Sequence, residues 1–388
     1  MKFRFGVTAV SALLLWLGAP GVQAADIEVR VAAAPGVTPL IRLSGPFRQG
    51  DAEAMRQLLG RLKNQTRPSP GTPLATVELS SLGGDLTEGL KIGYLFRDHN
   101  VATVVRRKDI CLSACALAFL GGTAAHGSAD PTDRTPSHHL EIGGKLGFHA
   151  FYLNPNSAQA PTATDPVQGR RQGFVEARAA STAVMFYAAE LGIDARFVAA
   201  MMTKPQDEFA YVTTTADFLT LKVCPIGLAR PALSPAEQAL NICNHATGWA
   251  DPAGPAQVRS MTARQARRYL LETLQQNMLS LETKGALSRQ LASYPVMRDE
   301  RAIDDLYADL RAAGVRLPEI VGPVFEVSGY RSGGGEAQCF VSLSLEDPDR
   351  YAVAIRRPGK WSHPQWSAPA DCRGLHLHDR DAAINPRP

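Results

Sequence analysis

Apolar and polar positions along the first third of the chain follow two alternating periods. Thr38 to Leu43 reads as a short strand. Asp51 to Leu62 places Met55, Leu58, Leu59 and Leu62 at helical spacing, one apolar stripe on a 3.6-residue repeat. Arg67 to Pro73 is a Pro/Gly/Ser loop, and Leu74 to Leu79 is a second strand, closed by Ser80-Ser81-Leu82-Gly83-Gly84. Thr87 to His99 returns to helical spacing through Leu90, Ile92, Leu95 and Phe96. Val101 to Val105 is β-branched, and Ser113 to Leu120 is a short helix of small and apolar residues. Strands alternating with helices in this order predict an α/β fold with a parallel sheet and crossover helices.

Further on, Thr123 to Gly144 is a polar loop, Lys145 to Phe151 a strand, and Asn154 to Pro166 a loop. Arg170 to Leu191 is a long alanine-rich helix and Asp194 to Met202 a shorter one. Past Cys224 the character changes. Pro225 to Pro255 is loop-rich, and Thr262 to Leu281 and Lys284 to Gly314 are helical. Val321 to Leu345 and Tyr351 to Ile355 alternate like antiparallel strands around a turn at Gly333-Gly334-Gly335. The last dozen residues are polar and are expected to fray.

Composition narrows the classes. At 45% hydrophobic the chain is an ordinary globular one, not a disordered scaffold. A net charge of +4 without a basic stripe argues against a nucleic-acid partner. Lys2 and Arg4 precede an apolar run from Phe5 to Leu17, and Val22-Gln23-Ala24 offers small residues for cleavage. Residues 1–24 therefore read as a signal peptide. The run is shorter than the roughly 20 apolar residues that span a bilayer, and no later segment is long and apolar enough, so no transmembrane segment is expected after leader removal. The expected compartment is the periplasm. There, six cysteines imply disulfides. They form three near-neighbour groups, Cys111 with Cys115, Cys224 with Cys243, and Cys339 with Cys372, and sequential pairing is the expectation among several possible connectivities. For Cys111 and Cys115, two buried thiols beside Ser113 are the alternative. A bridge requires Cys111 to stand outside the regular helix.

The candidate chemistry lies between Ser80 and His149. Acyl transfer needs a nucleophile, a base, and donors aimed at the developing oxyanion. Ser113, at the start of a helix, offers a nucleophile beside free backbone N–H groups. Gly83-Gly84 at a strand end lets backbone amides turn outward, and His149 lies downstream in Gly147-Phe148-His149. Taken singly, Ser113 reads as a helix N-cap, Gly83-Gly84 as a turn, and His149 as a partly buried histidine. His126, His138 and His139 lack zinc-site spacing and read as part of a solvated loop. No metal and no cofactor is expected.

As a set, these motifs resemble the proteolytic subunit of Clp protease and its crotonase-like relatives over residues 39–225. Leu40-Ile41-Arg42-Leu43-Ser44-Gly45-Pro46 is similar to the family's first strand. Ser81-Leu82-Gly83-Gly84 is similar to its serine-proline-glycine-glycine turn, with Leu82 replacing proline, and Gly89 and Ile92 fit the helix that follows. Ser113 and Gly122 keep the family's spacing from catalytic serine to glycine, and His149 fits its histidine once 123–144 counts as a longer loop. The resemblance implies a crotonase-like core of ββα repeats wound in a spiral over 26–226. A helical region over 227–320 and a small β-rich region over 321–388 would be appended to it. It implies Ser113 as nucleophile and His149 as base, with an oxyanion hole from Gly84 (or Gly83) and Ala114. For the orienting acid, Asp207 lies nearest, with Asp194, Thr203 or no third member as alternatives. The long helix would pack on neighbouring subunits of a homo-oligomer. The implied function is that of an exported serine hydrolase, a peptidase acting on a peptide or protein. The alternative is a catalytically inactive binding or scaffold protein of the cell envelope. An acyl-coenzyme A enzyme is disfavoured because its substrate is cytosolic.

Overall fold

The computed structural model describes residues 25–387 except 35, 66–70, 126–133, 151–165, 206, 248–251, 281–299, 316, 333–334, 358–359 and 363–369. The expected leader, His126, nearly all of the loop over 154–166, residues 284–299 and Gly333-Gly334 lie outside the described residues. Among those described, no helix is long and apolar enough to cross a membrane.

The chain forms a mixed α/β fold in which strands and helices interleave. A six-stranded sheet begins with β1 (Asp26–Val31), antiparallel to β2 (Leu40–Ser44) at one edge. From β2 the sheet continues parallel through β3 (Ala75–Ser80), β4 (Val101–Val105), β8 (His138–Glu141) and β11 (Cys224–Ile226). β2 and β3 alternate buried and half-buried residues, whereas every residue of β4 is buried, as expected of a strand covered on both faces. Helix α1 (Asp51–Gln65) crosses from β2 to β3 and α2 (Leu86–Asp98) from β3 to β4. The predicted stripe Met55, Leu58, Leu59 and Leu62 is the buried face of α1. Asp85 caps α2 by accepting the Glu88 amide at 3.0 Å.

After β4 the chain leaves this sheet for a smaller one. β5 (Ile110–Leu112) runs parallel to β9 (Lys145–Phe148), and β10 (Ala210–Tyr211) covers β9 antiparallel. Helix α3 (Ala114–Phe119) follows β5 and is buried throughout. A hairpin of β6 (Thr123–Ala125) and β7 (Arg134–Pro136) leads into β8. Helices α4 (Pro166–Glu190), α5 (Ala195–Met202) and α6 (Thr215–Thr220) then lead, with β10 between α5 and α6, to β11.

The rest of the chain builds a five-stranded antiparallel sheet in sequence order: β12 (Pro252–Met261), β13 (Val324–Ser332), β14 (Gly335–Leu343), β15 (Tyr351–Arg357) and β16 (Lys360–Ser362). The two-residue period of β14 sends its side chains to two cores. Cys339 and Val341 meet Ala239, Ile242 and Cys243 of α7 (Pro235–Thr247). Phe340 meets Leu270, Leu271, Ile303 and Leu306 of α8 (Ala263–Ser280) and α9 (Glu300–Ala312).

Three bridges are present, and two of them correct the sequential pairing. Cys111 joins Cys115, but Cys224 joins Cys372 and Cys243 joins Cys339. The cause is the path of the tail. A 3-10 helix (Ala370–Leu377) carries Cys372 back to β11, and α7 lays Cys243 on β14. The tail is also not frayed. Thr215 and Ala216 donate their amides to Ala382 and Arg380 at 3.0 and 2.8 Å, and Ile384 donates to Thr213 at 2.9 Å. Asn385, 3% exposed, accepts from the Gly143 amide and donates to the Gly144 and Val212 carbonyls.

His138, expected in a solvated loop, is instead buried in β8 between β4 and β11. Its ring nitrogens face the carbonyls of Leu221 at 2.8 Å and Gly122 at 3.2 Å. These contacts favour the protonated ring, but burial outweighs them and pushes its pKa down to about 4. His376, with Nδ1 at 2.6 Å from the Tyr351 hydroxyl, is pushed down to about 3, by burial first and then by His245 and Arg373. Both folded values lie below the ordinary imidazole value, so the folded state binds fewer protons than the unfolded chain. Stability is fully present above about pH 6.5 and is lost as pH falls toward 4 and 3. Thermal melts from pH 7.5 to 4.5 should show a steady loss, on the order of 5 kcal/mol for the pair at the acid end. A flat profile would contradict the buried neutral assignment.

Candidate active site

Three strand ends place the residues of the Ser80–His149 segment side by side. Ser81 bridges Cys111, and Cys111 pairs with Leu146, so these three share one rung of parallel chain. Three residues past that rung stand Gly84, Ala114 and His149. Two past it stand Gly83, Ser113 and Phe148. The sequence-predicted residues other than the acid therefore gather at the carboxyl ends of adjacent parallel strands, where open α/β sheets take ligands.

Ser113 occupies the turn from β5 into α3. Its amide donates to the Gly147 carbonyl at 3.1 Å. Its backbone has φ +54° and ψ −124°, and its side chain makes no capping bond to the helix it precedes. An N-cap has extended backbone and a side chain that accepts from the helix, so the helix-cap reading fails on both counts. A serine at positive φ is strained by about 1–3 kcal/mol. A sharp strand-to-helix turn of this kind is how serine nucleophiles expose Oγ.

Gly83 and Gly84 are required to be glycine. Gly83 has φ +100°, and a Cβ there would stand 2.7 Å from Ser113 Cβ and 3.1 Å from the Ala114 nitrogen. Gly84 has φ +139°, and a Cβ there would fall 2.3 Å from the Phe47 carbonyl oxygen. The alternatives for the oxyanion donor also separate. The Gly83 amide donates to the buried Ser81 Oγ at 3.0 Å. Among the described residues, neither the Gly84 nor the Ala114 amide has a protein acceptor.

His149 is half-buried, its ring 4.4 Å from that of Phe209 at an interplanar angle of 38°. Phe209 in turn lies 5.7 Å from Tyr211 of β10. The sequence marks Phe209 to Val212 as a strand but does not place either aromatic at the site. Their signal was the alternation of Phe209 and Tyr211 beside a strand that pairs with Gly147. A Cβ at Gly147 would meet Leu112 at 2.8 Å and Tyr211 at 3.0 Å, so this wall fits closely over β9. Leu82, where the resembled family has proline, is 71% exposed beside the glycine turn.

The arrangement is incomplete in two respects. No hydrogen bond joins Ser113 Oγ to His149, a bond that is often long in an unliganded site and tightens in the complex. The acid candidates do not meet the histidine. Asp207 is exposed, and Asp194 caps α5 and pairs with Arg196 at 2.7 Å. The sequence matches no protein-family model, and no curated protein is significantly similar to it.

Proposed function

We propose that this chain is an exported, periplasmic serine hydrolase of the Clp-protease-like kind, a peptidase built on a crotonase-like spiral core. The observation that carries the reading is the strained turn at Ser113. A non-glycine residue at positive φ, with no capping role to explain it, stands between a glycine turn and a histidine-bearing strand end.

In this reading Ser113 Oγ attacks the substrate carbonyl carbon while His149 takes the hydroxyl proton. The oxyanion accepts from the Gly84 and Ala114 amides. Collapse of the tetrahedral intermediate breaks the C–N bond, His149 returns the proton to the leaving amine, and water then hydrolyses the acyl-enzyme. The pair works without Asp207, since an acid chiefly fixes the tautomer and stabilises the imidazolium. Self-association is part of the proposal. Phe174, Val175, Met185 and Phe186 are exposed on α4, an apolar stripe suited to a second subunit.

The unbonded Ser113–His149 pair and the engagement of Asp194 with Arg196 favour a second reading, an inactive relative that binds envelope peptides. Turnover of a fluorogenic peptide library separates the two. The first reading expects cleavage by the oxidised chain, lost in Ser113→Ala and in His149→Ala while circular dichroism stays unchanged. Cleavage that persists in Ser113→Ala would remove that residue from the mechanism.

A further inference from the structure

The three disulfides close loops of very different length, and the shortest is the one at the site. Cys224–Cys372 and Cys243–Cys339 span 148 and 96 residues, whereas Cys111–Cys115 spans four. The stabilisation expected from restricting the unfolded chain grows with the logarithm of loop length. Cys111–Cys115 is therefore the poorest of the three as a staple, and overall stability does not account for its place.

Its position does. Cys111 is in β5 and Cys115 in α3, both 0% exposed with Cα atoms 5.2 Å apart. The bridge ties the strand before the turn to the helix after it, and only Leu112, Ser113 and Ala114 lie between. Of the residues in that ring, Ser113 alone has positive φ. Strain of this size persists only where the surroundings over-determine it. On one side Gly83 lies so near that a Cβ there would stand 2.7 Å from Ser113 Cβ, and across the turn the covalent link holds both flanks.

We propose that the Cys111–Cys115 disulfide is a positioning element that holds Ser113 in its attacking conformation, so that the site is competent only when oxidised. This rests on the serine-nucleophile reading above. Closing the bridge turns two thiols into one disulfide, and the two electrons and two protons pass to a disulfide-bearing oxidant that leaves as a dithiol. A chain still reduced before export carries a slack Ser113 turn. Oxidation after export switches the hydrolase on, which keeps a peptidase silent where it is made.

The test is saturation kinetics of fluorophosphonate labelling on the full oxidised chain, at a temperature well below its melting point. The Cys111→Ala/Cys115→Ala double variant is expected to stay folded, to keep the probe's KI, and to lose about tenfold or more in the inactivation rate. A merely structural bridge would lower the melting temperature and leave the rate of the folded protein unchanged, so labelling at the wild-type rate overturns the proposal. Cys111→Val/Cys115→Ala, which refills the space with methyl groups, gives the same two outcomes should the alanine pair fail to fold. Absence of labelling in the oxidised wild type would overturn the nucleophile reading itself, and this inference with it.

Discussion

Gly84→Ala is expected to abolish probe labelling at Ser113 and to destabilise the chain by about 3 kcal/mol or more, the range of severe steric and backbone lesions. The added Cβ would fall 2.3 Å from the Phe47 carbonyl oxygen and 2.7 Å from its nitrogen. Both are backbone atoms, so no rotamer change relieves the clash. The same contact is a hydrogen-bonded bridge: Phe47 donates to the Gly83 carbonyl at 2.8 Å, and Asp85 donates to the Phe47 carbonyl at 2.9 Å. Pushing the turn away from Phe47 breaks both bonds, unseats the Asp85 cap of α2 and moves the proposed oxyanion donor. The φ of +139° adds strain for any L side chain. Gly83→Ala is the informative partner, because the nearest atoms its Cβ would meet are Ser113 Cβ at 2.7 Å, the Leu112 carbonyl oxygen at 2.8 Å and the Ala114 nitrogen at 3.1 Å, all on the serine's side of the turn. It should lose labelling with a smaller loss in melting temperature. A Gly84→Ala protein that melts and labels like the wild type would refute this account of the turn.

Removing residues 370–388 is expected to leave a chain that does not fold stably. The segment carries Cys372, Leu375, His376 and Leu377, all buried, and Asn385. Two buried leucines are worth about 1.5–3 kcal/mol each, and a bridge closing a loop of this length about 4–5 kcal/mol. Their sum rivals the roughly 5–15 kcal/mol that holds a typical domain. The milder Asn385→Ala leaves the Gly143 amide and the Gly144 and Val212 carbonyls without their side-chain partner. It should cost about 1–3 kcal/mol, read as a lower urea midpoint with an unchanged slope. A truncated chain with the melting curve of the full one would show that the tail is an appendage after all.

The tail also marks the limit of what the sequence disclosed. Elements whose stability comes from apolar periodicity were legible: the α1 stripe, the β-branched β4, the small-residue α3 and the strand–helix alternation of the core. The tail is held by backbone hydrogen bonds, by Asn385 and Cys372, and by the two buried leucines Leu375 and Leu377, too few apolar positions to show a period. For the same reason the pairing of Cys224 with Cys372 could not be read, since it depends on where a 3-10 helix docks. His138 did leave a trace. His138 and Leu140 alternate as the buried positions of β8, but a histidine is rarely counted as an inward residue. At the site, the order of glycine turn, serine and histidine was legible. The left-handed backbone of Ser113 was not, because no glycine announces it. Neither acid candidate, Asp207 nor Asp194, pairs with the histidine, whose ring lies against Phe209, with Tyr211 beyond it.

The most direct test of the nucleophile assignment is to react the oxidised chain with a fluorophosphonate and locate the adduct by peptide mass spectrometry. The account predicts a single modified peptide, the phosphonyl group on Ser113, and its loss in His149→Ala while that variant remains folded. A folded wild-type chain with no adduct, or with the adduct on another serine, would contradict it.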